Sequence, residues 1–260
     1  MLRFDPRGLR LALAGALLAA WCGCSKSGDK PPAPADTQLE ILCGNSFTAP
    51  MERLCADFTA RSGVRVAMSS AGSEDFLPLV KAARRGDVLV THDPYREYVA
   101  QSNALGDCVE VGFLAPVLAV QKGNPRKLSK IEDLTQPGLK VALTDPAYST
   151  CGELVYALLA KKGIKDAVLA NVGNRLTKGH GNLGTLLQTK AVDAAIMWNG
   201  VAFTFRETVD AVPLPYEYDR EIKVHVMGLS YSRRTEDVRK FLEFIRAHGS
   251  EVFAAHGYVK

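Results

Sequence analysis

The chain has 260 residues, 47% of them hydrophobic, with 32 Lys and Arg against 28 Asp and Glu. That composition is ordinary for a globular protein with a sizeable core, and the length suits one large or two modest domains. A formal charge of +4, without any run of basic residues, gives no footing for nucleic acid as a partner.

The first segment is an address. Arg3, Arg7 and Arg10 precede the apolar run LALAGALLAAW, and Cys22-Gly23-Cys24 precede SKSGDKPPAPADTQ. A basic start, a short apolar core and a small-residue exit read as a secretory signal peptide over 1–23. The apolar run is too short for a permanent bilayer span. A Cys at the exit before a polar, Pro-rich tether (24–37) resembles a bacterial lipoprotein. Cys24 is the lipidation candidate because Gly23 precedes it; Trp21 stands where such signals carry Leu. Removal of 1–23 takes away three Arg and one Asp, so the charge falls from +4 to +2. The expected location is the periplasm or cell surface, held to the membrane by lipid. Outside the cytoplasm, ATP-driven chemistry loses weight. Cys43, Cys55, Cys108 and Cys151 remain, an even number that permits disulfides in an oxidising compartment. Cys43 and Cys55 instead read as small core residues. No Cys/His spacing reads as a zinc site.

From residue 38 strands and helices alternate. LEILCG (39–44) is an apolar strand. Pro50 opens a helix with Met51, Leu54, Cys55 and Phe58 on one stripe, closed by Gly63. VRVAM (64–68) is a second strand. Ser73 reads as an N-cap, with Glu74 and Asp75 in the first turn and Phe76, Leu79, Val80 and Ala83 on one face. DVLVTHD (87–93) is a third strand. The β-α-β-α-β series implies a mostly parallel sheet with helices on both faces. The second half continues with a strand in 138–146, a helix from Gly152 to Gly163, a short helix from Leu183 to Lys190 and a buried strand over 192–198. Val238, Phe241, Leu242 and Ile245 mark a terminal helix, and Phe253 follows. The β-rich stretches 113–123 and 222–232 suit crossovers between two lobes, expected at 38–115 plus 228–260 and at 116–227.

CGNSFTAPMERLCADFTARSGVRV, AGSEDFLPLVKAARRGDVLVTHDP, LTDPAYSTCGELVYALLAKKGI, VDAAIMWNGVA and FIRAHGSEVFAAHGYVK occur in that order. Together they resemble the periplasmic molybdate- and tungstate-binding proteins of ABC transporters, among the type II periplasmic binding proteins. The resemblance implies two α/β lobes joined by two crossing strands, with ligand in the cleft. Strand-end loops 44–46, 71–73 and 150–152 each precede a helix, whose N-terminus offers unpaired N–H groups to an anion. The resemblance places the family's two anion-binding Ser positions at Ser46 and Ser73 and a backbone donor near Cys151; the loop geometry adds Asn45, Gly72 and Gly152 as further candidate donors. A family Tyr falls at Trp198, which has only an indole N–H to offer.

Several residues keep other readings open. Glu74 beside Ser73 repels an oxyanion unless it points away; it serves the helix dipole, or else the ligand is a cation. Cys151 at a helix N-terminus offers its backbone N–H or an activated thiol. His92, Asp93 and His180, with Glu74 and Cys151, would make an uneven cation site. A Ser or Cys nucleophile with a His base could be drawn from Ser46, Ser73, Cys151 and His180, but no local hydrolase motif accompanies them. The expectation is a monomeric binding protein without cofactor or catalytic residues. It captures a small tetrahedral oxyanion, molybdate or tungstate first, and delivers it to an ABC-transporter permease. A divalent-cation carrier of the same fold and a ligand-presenting sensory lipoprotein are the alternatives.

Overall fold

A computed structural model describes residues 38–259. The expected leader, the tether and Cys24 lie outside the described residues. Ten strands form two five-stranded sheets. The first sheet contains β1 (Gln38–Gly44), β2 (Arg65–Ala71), β3 (Val88–His92), β4 (Leu105–Leu114) and β10 (Ile222–Leu229), in the order β2-β1-β3-β10-β4. The second contains β5 (Pro116–Gln121), β6 (Val141–Thr144), β7 (Leu176–Thr177), β8 (Ala194–Trp198) and β9 (Val209–Val212), in the order β7-β6-β8-β5-β9. β1 is parallel to β2 and β3, while β10 is antiparallel to β3 and β4. Likewise β6 is parallel to β7 and β8, while β5 is antiparallel to β8 and β9. Each sheet is therefore mixed, with one reversed strand, β10 or β5, among strands that share a direction. The reversed strands are the ones the chain uses on arrival from the other sheet.

The chain passes from the first sheet to the second at Ala115, between β4 and β5, and returns through 213–221, between β9 and β10. The expected division at 227/228 falls inside β10, whose whole length pairs with β3 and β4. The second crossover therefore lies earlier than the apolar pattern of 222–232 suggested, because that stretch is a buried central strand.

Helix α1 (Thr48–Ser62) starts two residues before the Pro50 start expected from sequence and buries Met51, Leu54, Cys55 and Phe58, the expected stripe, together with Pro50. Pro50 is tolerated there because a first-turn residue has no intrahelical bond to lose. Gly63 ends the helix at φ 73°, its N–H bonded to the Thr59 carbonyl. Terminal helix α8 (Thr235–Ala255) buries Val238, Phe241, Leu242, Ile245 and Phe253. Phe58 and Phe241 meet edge to face at 5.0 Å between centroids. The main core runs through both sheets. A second cluster of Leu42, Phe76, Val80, Leu89, Val99, Met227 and Leu229 fills the opposite face of the first sheet. It packs under α2 (Ser73–Lys81) and α3 (Tyr95–Gln101). Helices α3, α5 (Lys165–Val172) and α7 (Asn199–Thr204) and strands β4, β7 and β9 were not legible as elements. All but β4 are short, at eight residues or fewer, and so show little periodicity.

The four described cysteines are free. Cys43, Cys55 and Cys151 are buried, and burial pushes each thiol pKa up, that of Cys55 to about 12. The disulfides that the even count permitted do not form. No helix among the described residues is long and apolar enough to cross a membrane.

Candidate functional site

A cavity of about 590 Å³ opens where loops of both sheets face each other. Its first wall is the β1–α1 turn, the start of α2 and the end of β3. Its second wall is the start of α4 (Thr150–Lys161), the β7–α6 loop with the start of α6 (His180–Gln188), and the end of β8. These are strand ends and helix N-termini, the places where an open α/β sheet binds ligand.

Of the expected site residues, Asn45, Ser46, Gly72, Ser73 and Trp198 line the cavity. Asn45 and Ser46 lie in a 3-10 turn, Asn45–Phe47, anchored by buried Phe47. The Ser46 carbonyl accepts the Tyr258 hydroxyl, which ties this turn to the end of the chain. Asn45 Oδ1 accepts a hydrogen bond from Ser70 Oγ at 3.1 Å. Ser73 is the first residue of α2 rather than its cap; Gly72 holds the cap position. Asp75 Oδ2 accepts the Gly72 N–H at 3.2 Å. Ser73 Oγ accepts the Thr91 hydroxyl at 2.7 Å and is 8% exposed. With that acceptor role filled, the Ser73 hydroxyl proton is free to be offered elsewhere.

Cys151 and Gly152 do not line the cavity; Tyr148, Ser149 and Thr150 do. Helix α4 begins at Thr150, two residues before the Gly152 start expected from sequence, with Ser149 as its cap. Ser149 Oγ accepts the Gly152 N–H at 3.3 Å. The correction has a packing cause. A Cβ on Gly152 would stand 2.7 Å from the Thr144 carbonyl oxygen and 2.9 Å from Pro146 N, so the residue lies against backbone. The Cys151 side chain is fully buried. The Ser149-Thr150 pair, two residue types that favour helix caps, was the available signal for the earlier start.

Two histidines contribute to the cavity wall. His92 Nδ1 stands 2.6 Å from the Asp93 carbonyl and donates to it. Burial pushes the His92 pKa down to about 4 and that of His180 to about 3. Both are neutral at pH 7. Trp198 packs beside them, its ring centroid 6.0 Å from that of His92 and 5.5 Å from that of His180. His180 Nε2 lies 3.5 Å from Ser149 Oγ, and its Nδ1 is buried without a hydrogen-bond partner among the described residues. Tyr95 adds an edge-to-face contact to His92 at 5.3 Å. No sequence spacing distinguished Tyr95, Tyr148 or Thr48 as cavity residues.

The cavity mouth carries charge. Lys178, on the β7–α6 loop, stands 3.7 Å from Glu74 and 3.4 Å from Asp75 on α2. Glu74 therefore has a cation across the mouth, the condition under which a carboxylate is tolerable near a bound anion. The groups are exposed, so the pairing is worth at most about 1 kcal/mol. Lys178→Ala should weaken the binding of a doubly charged anion about two- to fivefold at low ionic strength. Titrations at 20 mM and 500 mM salt should show the difference shrinking as screening grows. An equal loss at both concentrations would count against a charge effect. Among the described residues, no three His, Cys, Asp or Glu side chains cluster to hold a metal ion. His92, Asp93, His180, Glu74 and Cys151 do not converge as a ligand set.

The backbone resembles that of the periplasmic molybdate-binding protein of Azotobacter vinelandii, with a TM-score of 0.71 at 16% identity over 86% of this chain and 99% of that one. It also resembles the sulfate-binding protein SubI of Mycobacterium tuberculosis, with a TM-score of 0.70 at 17% identity over 85% and 86%. In sequence, the molybdate-binding protein ModA of Mycobacterium bovis is 24% identical over 210 residues, 75% of this chain and 80% of that one. Residues 39–259 match the family described as bacterial extracellular solute-binding protein. This chain, two mixed sheets around a cleft lined by helix N-termini, belongs to that bacterial extracellular solute-binding protein family.

Proposed function

We propose that the chain captures a small tetrahedral oxyanion, molybdate or tungstate first, between its two lobes and delivers it to an ABC-transporter permease. One observation carries the reading: hydroxyl-bearing N-termini of α1, α2 and α4 meet at one cavity, beside two histidines that are neutral at pH 7. Ser46, Ser73, Ser149 and Thr150 supply hydroxyls, and the first-turn N–H groups of α2 and α4 lack intrahelical acceptors. The relatives that bind molybdate and sulfate support the same ligand chemistry. The cavity exceeds the size of a tetrahedral anion, so the lobes, 38–115 plus 222–259 and 116–221, close on the ligand. A divalent cation suits the site less: Glu52, Glu74 and Asp75 line the cavity, but among the described residues no three His, Cys, Asp or Glu side chains cluster to hold a metal ion.

The test is thermal unfolding of the protein with molybdate, tungstate, sulfate and a divalent metal. A ligand at about 100 times its Kd adds roughly 2.7 kcal/mol of stability. Ser46→Ala and Ser73→Ala should each weaken molybdate binding about ten- to a hundredfold, since a hydrogen bond to charge is worth about 1.5–3 kcal/mol. Molybdate affinity unchanged in both variants would remove these residues from the site. No response to any oxyanion would remove the ligand class.

The leader and Cys24 support export with a lipid anchor. Cys24→Ser should move the protein from the membrane fraction to the soluble extracytoplasmic fraction. Wild-type protein that is already soluble would exclude the anchor.

A further inference from the structure

A second, open cavity of about 350 Å³ lies apart from the cleft, lined by Asp93, Arg96, Glu97, Cys108, Glu110, Lys223 and His225. Three neighbouring strands bring a thiol, an imidazole and a carboxylate together there. His225 on β10 pairs with Thr91 on β3, and Asp93 lies two residues beyond Thr91, on the same side. On the other side of β10, Met227 pairs with Cys108 of β4, so Cys108 is the diagonal neighbour of His225. Asp93 Oδ1 lies 2.8 Å from His225 Nε2. Asp93 Oδ2 accepts the Lys223 N–H at 3.1 Å, which fixes the carboxylate. The carboxylate therefore holds the proton on Nε2, and Nδ1 is left as an acceptor. Cys108 Sγ lies 3.7 Å from that Nδ1, within the reach of a thiol hydrogen bond.

We propose that Cys108, His225 and Asp93 form a reactive thiol site that exchanges with low-molecular-weight disulfides. Cys108 Sγ attacks one sulfur of the disulfide as its proton passes to His225 Nδ1. A new S–S bond forms, the old one breaks, and the departing thiolate takes the proton from the imidazolium. The Cys108 thiol is oxidised to a mixed disulfide, and the other half of the reagent leaves reduced to a thiol.

The base is what the site requires. Burial raises the Cys108 thiol pKa, and the Arg96 guanidinium beside it acts in the opposite direction. The resting group is a thiol, and attack at neutral pH needs an acceptor for its proton. The charged groups facing it are Arg96 and Glu97 on α3, Asp107 and Glu110 on β4, and Lys223 on β10. Lys223 is engaged by Glu110 at 3.0 Å, and Asp107 by Arg246 of α8 at 3.0 Å. Cys108 is half-buried and open to the cavity, whereas the other three described thiols are buried. The Cys151 thiol at the α4 N-terminus, the other candidate for activation, has no such base.

The experiment treats the purified protein at pH 7 with bis(2-hydroxyethyl) disulfide and follows each cysteine by peptide mass mapping. Cys108 should form the adduct at least tenfold faster than Cys43, Cys55 or Cys151. His225→Gln should slow the Cys108 adduct at least tenfold at pH 7, and the gap should narrow as pH rises towards 10, where hydroxide competes with the imidazole for the thiol proton. Asp93→Asn, which alters the imidazole tautomer without removing the ring, should slow it severalfold. The comparison of the four wild-type thiols needs no variant and stands even if His225→Gln does not fold. Cys108 reacting no faster than the buried thiols, or at the wild-type rate in both variants, would overturn the proposal.

Discussion

Gly152→Ala should destabilise the protein by about 2 kcal/mol and weaken ligand binding, although Gly152 does not line the cavity. An alanine Cβ would meet the Thr144 oxygen at 2.7 Å, Pro146 N at 2.9 Å and the Asp145 carbonyl carbon at 3.0 Å. All three are backbone atoms at the end of β6, and no side chain can swing away. Overpacking of this kind costs about 1–3 kcal/mol. The gain in helix propensity on replacing glycine is at most about 1 kcal/mol and does not offset a steric cost at the upper end of that range. The start of α4 must lift from β6, and it carries Ser149 and Thr150 with it. The expected result is a midpoint lower by about 4–8 °C, from the usual scaling for a chain of this size. Molybdate affinity should fall at least fivefold. Gly181→Ala is the control: Gly181 lies in α6 with nothing within 4 Å of its Cβ position, so stability should hold or rise slightly. Wild-type stability in Gly152→Ala would mean that β6 and α4 separate at no cost, and the rigid placement of the α4 donors would be lost as an explanation.

This case also shows what was legible in the sequence. The alternation of strands and helices, the α1 stripe, the α8 stripe and the loops at Asn45-Ser46 and Gly72-Ser73 follow from short-range pattern. Gly63 marked the end of α1 by its backbone freedom, whereas Pro50, expected to open the helix, stands two residues inside its start at Thr48. The second wall was harder to read. Gly152 looked like a helix start offering its N–H to a ligand, whereas it is the point where α4 touches β6. A contact between elements distant in sequence leaves no periodic trace. The same holds for Lys178, whose pairing with Glu74 and Asp75 spans both walls. The boundary in β10 shows the reverse error. Its residues 222–229 are buried almost throughout, and a continuous apolar run fits a central strand as well as a connection between lobes. Glu74 reads in sequence as a repulsive neighbour of an oxyanion, and only the fold places Lys178 opposite it. The Cys108, His225 and Asp93 cluster was invisible for a related reason: three strands must lie in order before the residues share one face.

Acidification should weaken the protein between pH 7 and pH 5, before most carboxylates titrate. Burial holds His92 at about 4 and His180 at about 3, below the ordinary imidazole value of about 6.5. As pH falls through about 6.5, the unfolded chain takes up protons that the folded chain refuses. The stability contributed by each neutral histidine is complete above that value and is lost as pH falls towards its folded value. The loss is about 2 kcal/mol per histidine from pH 7 to pH 5, or about 4 kcal/mol for the pair if they act independently. Glu132, Asp133 and Asp210, whose pKa values are lowered by their partners, add losses only at lower pH. Urea unfolding at pH 7, 6 and 5 should show this slope, and His180→Asn should remove about half of it. A bound anion bears on the same slope. It favours a protonated imidazole at the cavity wall, so saturating micromolar molybdate should flatten the loss. A bound cation would steepen it. A slope unchanged by His180→Asn would show that His180 is not held neutral. A slope steepened by molybdate would contradict an anion seated beside His92, His180 and Trp198.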